Sequence, residues 1–214
     1  QDFAAELPAL GIALEQGDLR MDAQPDGSAR IVGQVRSGDG TLQVDGSLGW
    51  RDDDVPLVLN VRGQDVLVAE TRQLRAVASP DVVVRYRAGQ PLQVTGKVRV
   101  PSADIHLDRL DMGISPSPDV VVLDPVDPSG QIFVLDMGEA VKIDGFGLSG
   151  TLGGSLRVRE APGRDMRATG ALDVAGRYRA YGQNLQITRG RLLWSNSEIG
   201  DPRLDVRAER VVGD

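Results

Sequence analysis

A glycine-rich hexapeptide is the first candidate for chemistry in the chain. Residues 145–150 read Gly-Phe-Gly-Leu-Ser-Gly and match G-x-G-x-x-G, the loop that holds a pyrophosphate at a helix N-terminus in dinucleotide-binding units. Residues 151–156 follow with the two-residue period of a strand, so no helix is available to point at a phosphate. The pattern therefore favours a bulged strand with a tight turn over a nucleotide site.

Histidine and cysteine chemistry is almost absent from the sequence. His106 is the single histidine, so it provides no histidine pair for a metal ion, and any Ser-His-Asp arrangement would have to use it as the base. It alternates with Ile105 and Leu107, which predicts a side chain that faces solvent. The chain has no cysteine, which excludes thiolate catalysis and disulfide bonds.

Acidic residues are frequent, but their spacing does not define a site. The run 52–54 is Asp-Asp-Asp and lacks the spaced ligands and the glycine of a calcium loop, and Asp124 and Asp127 fit such a loop little better. Some carboxylates of a sheet will lie close enough for glycoside hydrolysis, yet no pair is singled out and aromatic residues for a sugar cleft are scarce. We predict no catalytic residue, no metal site and no cofactor, and hence that the protein is not an enzyme.

Composition restricts the partners of the protein. There are 24 Lys and Arg against 31 Asp and Glu, a formal net charge of −7, and no basic stripe, which argues against nucleic acid as a partner. Of the 214 residues 41% are hydrophobic but 4% are aromatic, which predicts a thin interior of aliphatic side chains. No signal peptide and no apolar run of about 20 residues is present. Because Gln1 lies within the strand pattern, we interpret the chain as a fragment of a longer protein.

Apolar and polar residues alternate along most of the chain, as they do in strands with one buried face. Residues 92–100 are the clearest case, with Leu92, Val94, Val98 and Val100 separated by polar side chains. The pattern predicts an all-β, antiparallel meander of about fourteen strands in a single elongated domain over residues 1–214. The residues predicted to line its apolar face are Leu42, Val44, Leu92, Val94, Val98, Val100, Leu152, Leu156, Val158, Leu172, Val174, Leu185, Ile187, Leu204 and Val206.

Breaks in the alternation predict the connections. We expect turns at residues 15–18, at Gly176, Gly182 and Gly190, and at residues 200–202, and an interruption of one strand at Pro80. A proline-rich loop is predicted at about 111–130. Helix is expected almost nowhere, with at most one turn at residues 69–74.

No amphipathic helix is predicted that could cover the apolar face of this sheet. The sheet must therefore close on itself and fill its interior, or leave an apolar groove for another molecule. The densest aromatic cluster, Tyr178, Tyr181 and Trp194, is interpreted as a packed end-cap of the sheet, with a lipid or peptide contact as the alternative.

Three stretches resemble the TamB family, two of them near the C-terminus. Residues 176–194 match the family pattern G-x-Y-x-A-Y-G-Q-x-L-x-I-x-R-G-x-L-x-aromatic, and residues 202–210 match P-x-L-x-[IV]-x-A-x-R. Residues 60–105 resemble a second family pattern, in which S-P-D-[LV] precedes a G-x-[VL]-x-[IV]-P-x-A-x-I run. The matched positions near the C-terminus are Gly176, Tyr178, Ala180, Tyr181, Gly182, Gln183, Leu185, Ile187, Arg189, Gly190, Leu192, Trp194, Pro202, Leu204, Val206, Ala208 and Arg210.

The resemblance implies a fold and a function. It implies an elongated curved sheet folded along its length, a β-taco, with an apolar groove. It further implies the periplasmic part of an inner-membrane-anchored subunit of a Gram-negative translocation and assembly module, with a TamA-like outer-membrane partner. The groove would shield hydrophobic cargo, either nascent strands of autotransporters and other outer-membrane proteins or phospholipid acyl chains. A closed structural or adhesive β-solenoid without a transport role remains the alternative.

Overall fold

The computed structural model describes residues 2–7, 11–50, 55–107, 131–160, 164–180 and 182–210. These residues contain 13 strands and no helix. The strands are β1 (Asp2–Leu7), β2 (Ile12–Ala23), β3 (Ser28–Ser37), β4 (Gly40–Gly49), β5 (Leu57–Gln64), β6 (Val66–Glu70), β7 (Leu74–Tyr86), β8 (Gln93–Leu107), β9 (Gln131–Gly145), β10 (Leu148–Glu160), β11 (Arg167–Ala180), β12 (Gln183–Glu198) and β13 (Arg203–Arg210).

All of these strands belong to one sheet. Twelve follow each other in the order β1-β2-β3-β4-β5-β7-β8-β9-β10-β11-β12-β13, and β6 pairs with β7 beside the end of β5. Neighbours pair antiparallel, as a meander requires, with the exception of β8 and β9. The predicted all-β class with an elongated curved sheet is therefore confirmed, and the sheet is open, which is consistent with a β-taco-like fold.

The β8–β9 pair is parallel, which the sequence pattern did not predict. Its register runs from Thr95 opposite Ile132 to Leu107 opposite Gly145. Parallel neighbours need a connection of a dozen or more residues, whereas antiparallel ones can be joined by a short hairpin. Residues 108–130 supply that length. The predicted proline-rich loop at 111–130, and with it Asp124 and Asp127, lies outside the described residues, as do residues 52–54.

Two predicted interruptions are absent because the strands continue through them. The expected turn at residues 15–18 is a bulge inside β2, where the register with β3 shifts between Glu15 and Asp18 and Gln16 has a φ of 52°. Pro80 lies inside β7. On one edge of β7, residues up to Ala78 pair with β6 and residues from Asp81 onward pair with β5. Pro80 lies in the gap between these two pairings, so its missing N–H removes no hydrogen bond on that edge.

Two glycines predicted to form turns lie inside strands. Gly176 is in β11 and Gly190 is in β12. A Cβ atom at Gly176 would collide with the carbonyl oxygen of Ser149, and one at Gly190 with the carbonyl oxygen of Val174. Close approach of a neighbouring backbone, rather than a change of chain direction, therefore requires glycine at both positions. Gly182 and residues 200–202 do lie between strands, as predicted.

Residues 69–74 form a strand end and a hairpin rather than the expected helical turn. β6 ends at Glu70 and β7 begins at Leu74. The backbone N–H of Thr71 donates to the carbonyl oxygen of Leu74 at 2.8 Å, and the Thr71 hydroxyl accepts from the N–H of Leu74 at 3.1 Å. These two bonds close the turn across the strand ends, which leaves no i to i+4 ladder for a helix.

β6 lies against the ends of β2, β3 and β4, an arrangement that we call the closed corner. Gly40, at the start of β4, approaches the backbone of Asp65, and Gly11, just before β2, approaches the carbonyl of Glu70. Between them, the hydroxyl of Ser37 donates to the carbonyl oxygen of Leu67 at 2.7 Å. Successive residues of β6 thus contact β4, β3 and β2 in turn. The side chains buried in this corner are Ile12, Val35, Ser37, Val66 and Ala69.

Candidate functional site

The strand register divides the side chains into an apolar inner face and a polar outer face. One inner row joins β7 to β12 through Pro80, Val98, Leu135, Leu156, Gly170 and Trp194. The neighbouring outer row joins β5 to β12 through Arg62, Asp81, Lys97, Val134, Arg157, Thr169 and Ser195. Because paired residues share a face, the apolar alternation of each strand becomes one continuous surface.

All of the residues predicted to line a groove except Leu92 lie on this inner face. The register places on it Leu42 and Val44 of β4, Val94, Val98 and Val100 of β8, Leu152, Leu156 and Val158 of β10, Leu172 and Val174 of β11, Leu185 and Ile187 of β12, and Leu204 and Val206 of β13. Leu92 precedes β8 and is exposed. Their placement on one surface agrees with the sequence pattern, and their role in binding cargo stays a prediction.

Burial on the inner face falls from the middle of the sheet toward β13. Val158 is 1% exposed and Leu156 is 3% exposed, in β10. Leu204 is 65% exposed and Val206 is 55% exposed, in β13. The same alternation therefore produces packed core in β10 and solvent-accessible apolar surface in β13.

A local cluster buries the inner residues of β10 and β11. Leu156, Val158, Ala168, Leu172 and Trp194 form it, with Phe133, Met137, Met166, Leu192 and Ile199 packed around them. The Trp194 indole N–H donates to the carbonyl oxygen of Ile199 at 3.0 Å, so the one polar atom of this large side chain is satisfied. In the described part of the chain no second sheet or helix covers the cluster. Its members are buried largely by neighbours on the same concave face.

Glycines on the inner face allow this curvature. Gly170 lies opposite Leu156 and Trp194 and has a φ of 137°, which a residue with a side chain rarely adopts. A Cβ atom there would meet the carbonyl oxygen of Ser155. Glycine kinks and bulges bend a sheet, and a large cross-strand neighbour fills the space that the glycine leaves. At Gly170 the nearest side-chain atom is Cδ2 of Leu156, 3.4 Å from the position that a Cβ atom would take.

The residues predicted to line the groove leave out 13 of the 19 hydrophobic side chains that are buried in the described part of the chain. Phe133, Leu135 and Met137 alternate along β9 and could have been found from their period. The small residues of β6 to β8 gave a weaker signal, because alanine is common on both faces of a strand. The missed residues that the structure buries are Ile12, Ala29, Ile31, Val35, Val66, Ala69, Ala76, Ala78, Val82, Ala103, Val141, Ala168 and Trp194.

The outer face is polar and carries exposed ion pairs. Arg189 contacts Asp205 at 2.7 Å, Arg191 contacts Asp173 at 3.0 Å, and Arg62 contacts Asp81 at 3.3 Å. Each pair links neighbouring strands, and each side chain keeps a large exposed fraction, so the pairs are hydrated and weak. Within the described residues every buried side-chain nitrogen or oxygen has a hydrogen-bond partner. The inner face therefore offers a ligand apolar contact rather than unpaired polar groups.

The other sequence candidates lie away from the inner face or form no site. The glycine hexapeptide is a β9–β10 hairpin turn, with φ of 51° at Phe146 and 84° at Gly147, and strand β10 begins at Leu148. His106 is exposed on the outer face, paired with Asp144, as predicted. The residues that the structure describes contain no group of three or more His, Cys, Asp or Glu that could hold a metal ion. No helix among them is long and apolar enough to cross a membrane.

The predicted aromatic end-cap is wrong. Tyr178 pairs with Leu185 near the end of β11, whereas Trp194 lies opposite Gly170. Eight residues of one strand separate the two rows, a distance of about 26 Å. Tyr178 is 38% exposed and Trp194 is buried in the cluster described above. The side chain of Tyr181 lies outside the described residues.

Comparison with known proteins places this sheet in a family. The family model named TamB C-terminal domain matches residues 26–214. A curated relative, the translocation and assembly module subunit TamB of Haemophilus influenzae, is 22% identical over 232 aligned positions. The match covers 98% of this chain but 18% of that relative, so the chain corresponds to a small part of the longer protein. Because the family model matches most of the chain, including strands β3 to β13, the chain belongs to the TamB C-terminal domain family.

Proposed function

We propose that the chain is the periplasmic part of an inner-membrane-anchored subunit of a Gram-negative translocation and assembly module. In this proposal the inner face shields hydrophobic cargo on its way to the outer membrane, and a TamA-like outer-membrane protein is the partner that receives it. Family membership and the name of the Haemophilus relative support the module. The cargo is inferred from the surface itself.

The observation that carries the proposal is the continuous apolar inner face, which becomes exposed toward β13. Leu204 and Val206 are exposed there, although their rows continue into the buried core of β12 and β11. A sheet that served only as a scaffold would gain stability by covering these side chains, at about 25 cal/mol for each Å² of apolar surface removed from water. Their exposure fits a surface that is covered by a transient occupant.

Two kinds of cargo fit such a surface. Phospholipid acyl chains would be buried against it without needing any polar partner. A nascent strand of an autotransporter or another outer-membrane protein would instead pair with a sheet edge through its main chain and place alternate apolar side chains inward. Either cargo would move from strand to strand, perpendicular to the strand direction, because the apolar rows of the inner face run in that direction.

Native mass spectrometry of the chain purified from bacterial cells, combined with lipid extraction, tests the proposal. We expect phospholipid to copurify. Leu204→Arg should remove it without unfolding the protein, because this side chain is largely exposed. Leu156→Arg should also remove it, with a loss of stability from burying a charge. Arg203→Ser is the matched control, since Arg203 neighbours Leu204 on the outer face and should leave bound lipid unchanged.

The same variants in cells separate the two cargo types. Loss of outer-membrane protein assembly with Leu204→Arg, in a strain whose lipid transport is intact, would identify strands as the cargo. A lipid-free native protein that also fails to cross-link to an unfolded outer-membrane protein would contradict the proposal. Equal tolerance of Leu204→Arg and Arg203→Ser would do so as well, and would favour a structural or adhesive sheet.

A further inference from the structure

Two arginines stand at the rim where the inner face ends, beside the turns of the β9–β10 and β11–β12 hairpins. Arg177 and Arg179 lie near the end of β11, and the backbone N–H of Arg179 donates to the carbonyl oxygen of Gly147 at 2.7 Å. Both residues line a cleft together with Ser149, Asn184 and Gln186. The Gln186 side-chain amide donates within the sheet, from Nε2 to the carbonyl oxygen of Gly176 at 2.9 Å. We call Arg177 and Arg179 the arginine rim.

The arginine rim differs from the neighbouring cations of the outer face. Arg189 and Arg191 of β12 each contact a carboxylate on the adjacent strand. Among the described residues, neither Arg177 nor Arg179 forms an ion pair. Arg179 instead donates from Nε to the Asn184 side-chain oxygen at 3.1 Å, which orients its guanidinium and leaves the two terminal nitrogens for another acceptor. A planar guanidinium held in this way suits an oxygen-rich anion.

Apolar side chains begin one residue away from these cations. Tyr178 lies between the two arginines in sequence, so it points to the inner face. It is paired with Leu148 of β10 and Leu185 of β12 in one inner row. Tyr178 is 38% exposed and Phe146, in the adjacent turn, is 47% exposed. The rim thus carries positive charge on one side of the sheet and accessible apolar surface on the other.

We infer that the arginine rim holds the phosphate of an anionic amphiphile whose apolar tail lies over Tyr178, Leu148 and Leu185 on the inner face. This inference rests on the proposed function, which it deepens by naming the chemical class of the cargo. The guanidinium groups of Arg177 and Arg179 bind the phosphate oxygens, and the Ser149 hydroxyl and the Asn184 side-chain nitrogen supply further donors. The tail is removed from water by the apolar row.

Among the described residues that line the cleft, Asp144 is the only carboxylate. Two cations and one anion leave the cleft with a net positive charge, weaker than the arginines alone would provide. Replacing Asp144 with Asn should therefore strengthen phosphate binding by about twofold to fivefold, as expected for removal of one exposed charge. If Asp144 instead held the two arginine side chains in position, its replacement with Asn would let these side chains move and would weaken phosphate binding.

Calorimetric titration of the 214-residue chain tests the inference with three probes. Dihexanoyl phosphatidylglycerol carries both phosphate and tails, dihexanoylglycerol carries tails alone, and glycerol 3-phosphate carries the phosphate alone. We expect the phosphatidylglycerol to bind most tightly. The double variant Arg177→Gln/Arg179→Gln should weaken it about tenfold or more, the loss expected for charge-assisted hydrogen bonds to one anion. It should leave dihexanoylglycerol unchanged.

Arg157→Gln/Arg159→Gln is the matched control, because both side chains are exposed on the outer face of β10. It removes the same charge and should not alter phosphatidylglycerol binding. If the Arg177/Arg179 variant bound phosphatidylglycerol with native affinity, the inference would be contradicted. It would also be contradicted if glycerol 3-phosphate bound as tightly as the lipid, because the site would then be one for free phosphate. Arginine-dependent binding of glycerol 3-phosphate with no gain from the tails of phosphatidylglycerol, and no binding of dihexanoylglycerol, would contradict both the tail position in this inference and the proposed cargo surface. Binding of dihexanoylglycerol that is native in the Arg177/Arg179 variant, together with native phosphatidylglycerol binding, would contradict this inference alone.

Discussion

The closed corner and the β12–β13 edge are both built from strands with alternating apolar and polar residues, but the apolar side chains are buried in the corner and exposed at the edge. At the corner, Val66 is 4% exposed and Val35 is 7% exposed. At the edge, Val206 is 55% exposed and Leu204 is 65% exposed. All four residues belong to the inner face of alternating strands. What differs is the crossing strand β6, which lies against the ends of β2 to β4 and has no counterpart at the described end of β13.

This difference shows that contact with another strand, rather than the apolar alternation itself, decides which inner-face side chains of this sheet are buried and which are exposed. The corner brings β6 against strands that lie far from it in the sheet order, through backbone and hydroxyl contacts. The edge leaves equivalent residues accessible, and these are the residues on which the cargo proposal depends. Three paired substitutions test how far the two regions differ, from the largest expected effect to the smallest.

A buried charge should produce the largest contrast. Val66→Asp places a carboxylate in the closed corner and should lower the free energy of unfolding by about 3 kcal/mol or more, because a desolvated and unpaired charge is costly. Val206→Asp makes the same change at the edge and should alter it by less than about 0.5 kcal/mol. Urea unfolding followed by far-ultraviolet circular dichroism measures both. Similar losses in the two variants would mean that the edge is as well covered as the corner.

Glycine replacements should give an intermediate contrast. A Cβ atom at Gly40 would collide with the backbone of Asp65, so Gly40→Ala should cost about 1–3 kcal/mol by forcing β6 away from β4. Gly200, in the turn before β13, has no heavy atom within 4 Å of such a Cβ atom. Gly200→Ala should be neutral or stabilise by up to about 1 kcal/mol through reduced freedom of the unfolded chain.

Thermal unfolding of both alanine variants, compared with the native chain, provides the measurement. If β6 has room to move, Gly40→Ala will unfold at the native temperature. That result would contradict a tight contact between β4 and β6 and would remove the main physical distinction between the corner and the edge.

Single hydroxyl groups should show the smallest contrast. Ser37 is 1% exposed and donates to the carbonyl oxygen of Leu67, so Ser37→Ala leaves that carbonyl without this partner and should cost about 1–2 kcal/mol. Thr188 also donates across strands, to the carbonyl oxygen of Arg207 at 3.3 Å, but it is exposed. Thr188→Val should therefore change stability by less than about 0.5 kcal/mol, since water replaces the lost donor.

Amide hydrogen exchange in these two variants adds local information. Ser37→Ala should speed exchange in β3 and β6 together, because the hydroxyl joins them. Faster exchange limited to β3 would indicate that the Ser37 bond does not hold β6 in place.

Much of the fold could be predicted because strand alternation is a local property. The run from Val94 to Val100 and the run from Leu204 to Ala208 each have a two-residue period, and their apolar residues occupy one face as predicted. The first predicted run also includes Leu92, but this residue precedes β8 and is exposed. The bulge at Gln16 and the continuous strand through Pro80 were missed, since a glycine or proline in the sequence does not reveal whether the neighbouring strand continues past it. Gly176 and Gly190 were mistaken for turns for the same reason.

The candidate site was only partly predictable. The apolar character of Leu156 and Val206 is equal in the sequence, and nothing local indicates that one is buried in a cluster and the other is largely exposed. The arginine rim was not visible at all as a site. Arg177 and Arg179 follow the same alternation as Arg189 and Arg191, and only the pairing of strands decides which arginines find a carboxylate.

The sequence by itself determined the all-β class and the two-faced character of the sheet, because successive side chains of any strand point to opposite sides whatever its neighbours are. Tertiary structure decided the parallel pairing of β8 with β9, the crossing of β6 over the strand ends, and the exposure of β13. These features depend on which strands become neighbours after the chain has turned back, and that choice is made by non-local packing between residues that lie far apart in the sequence.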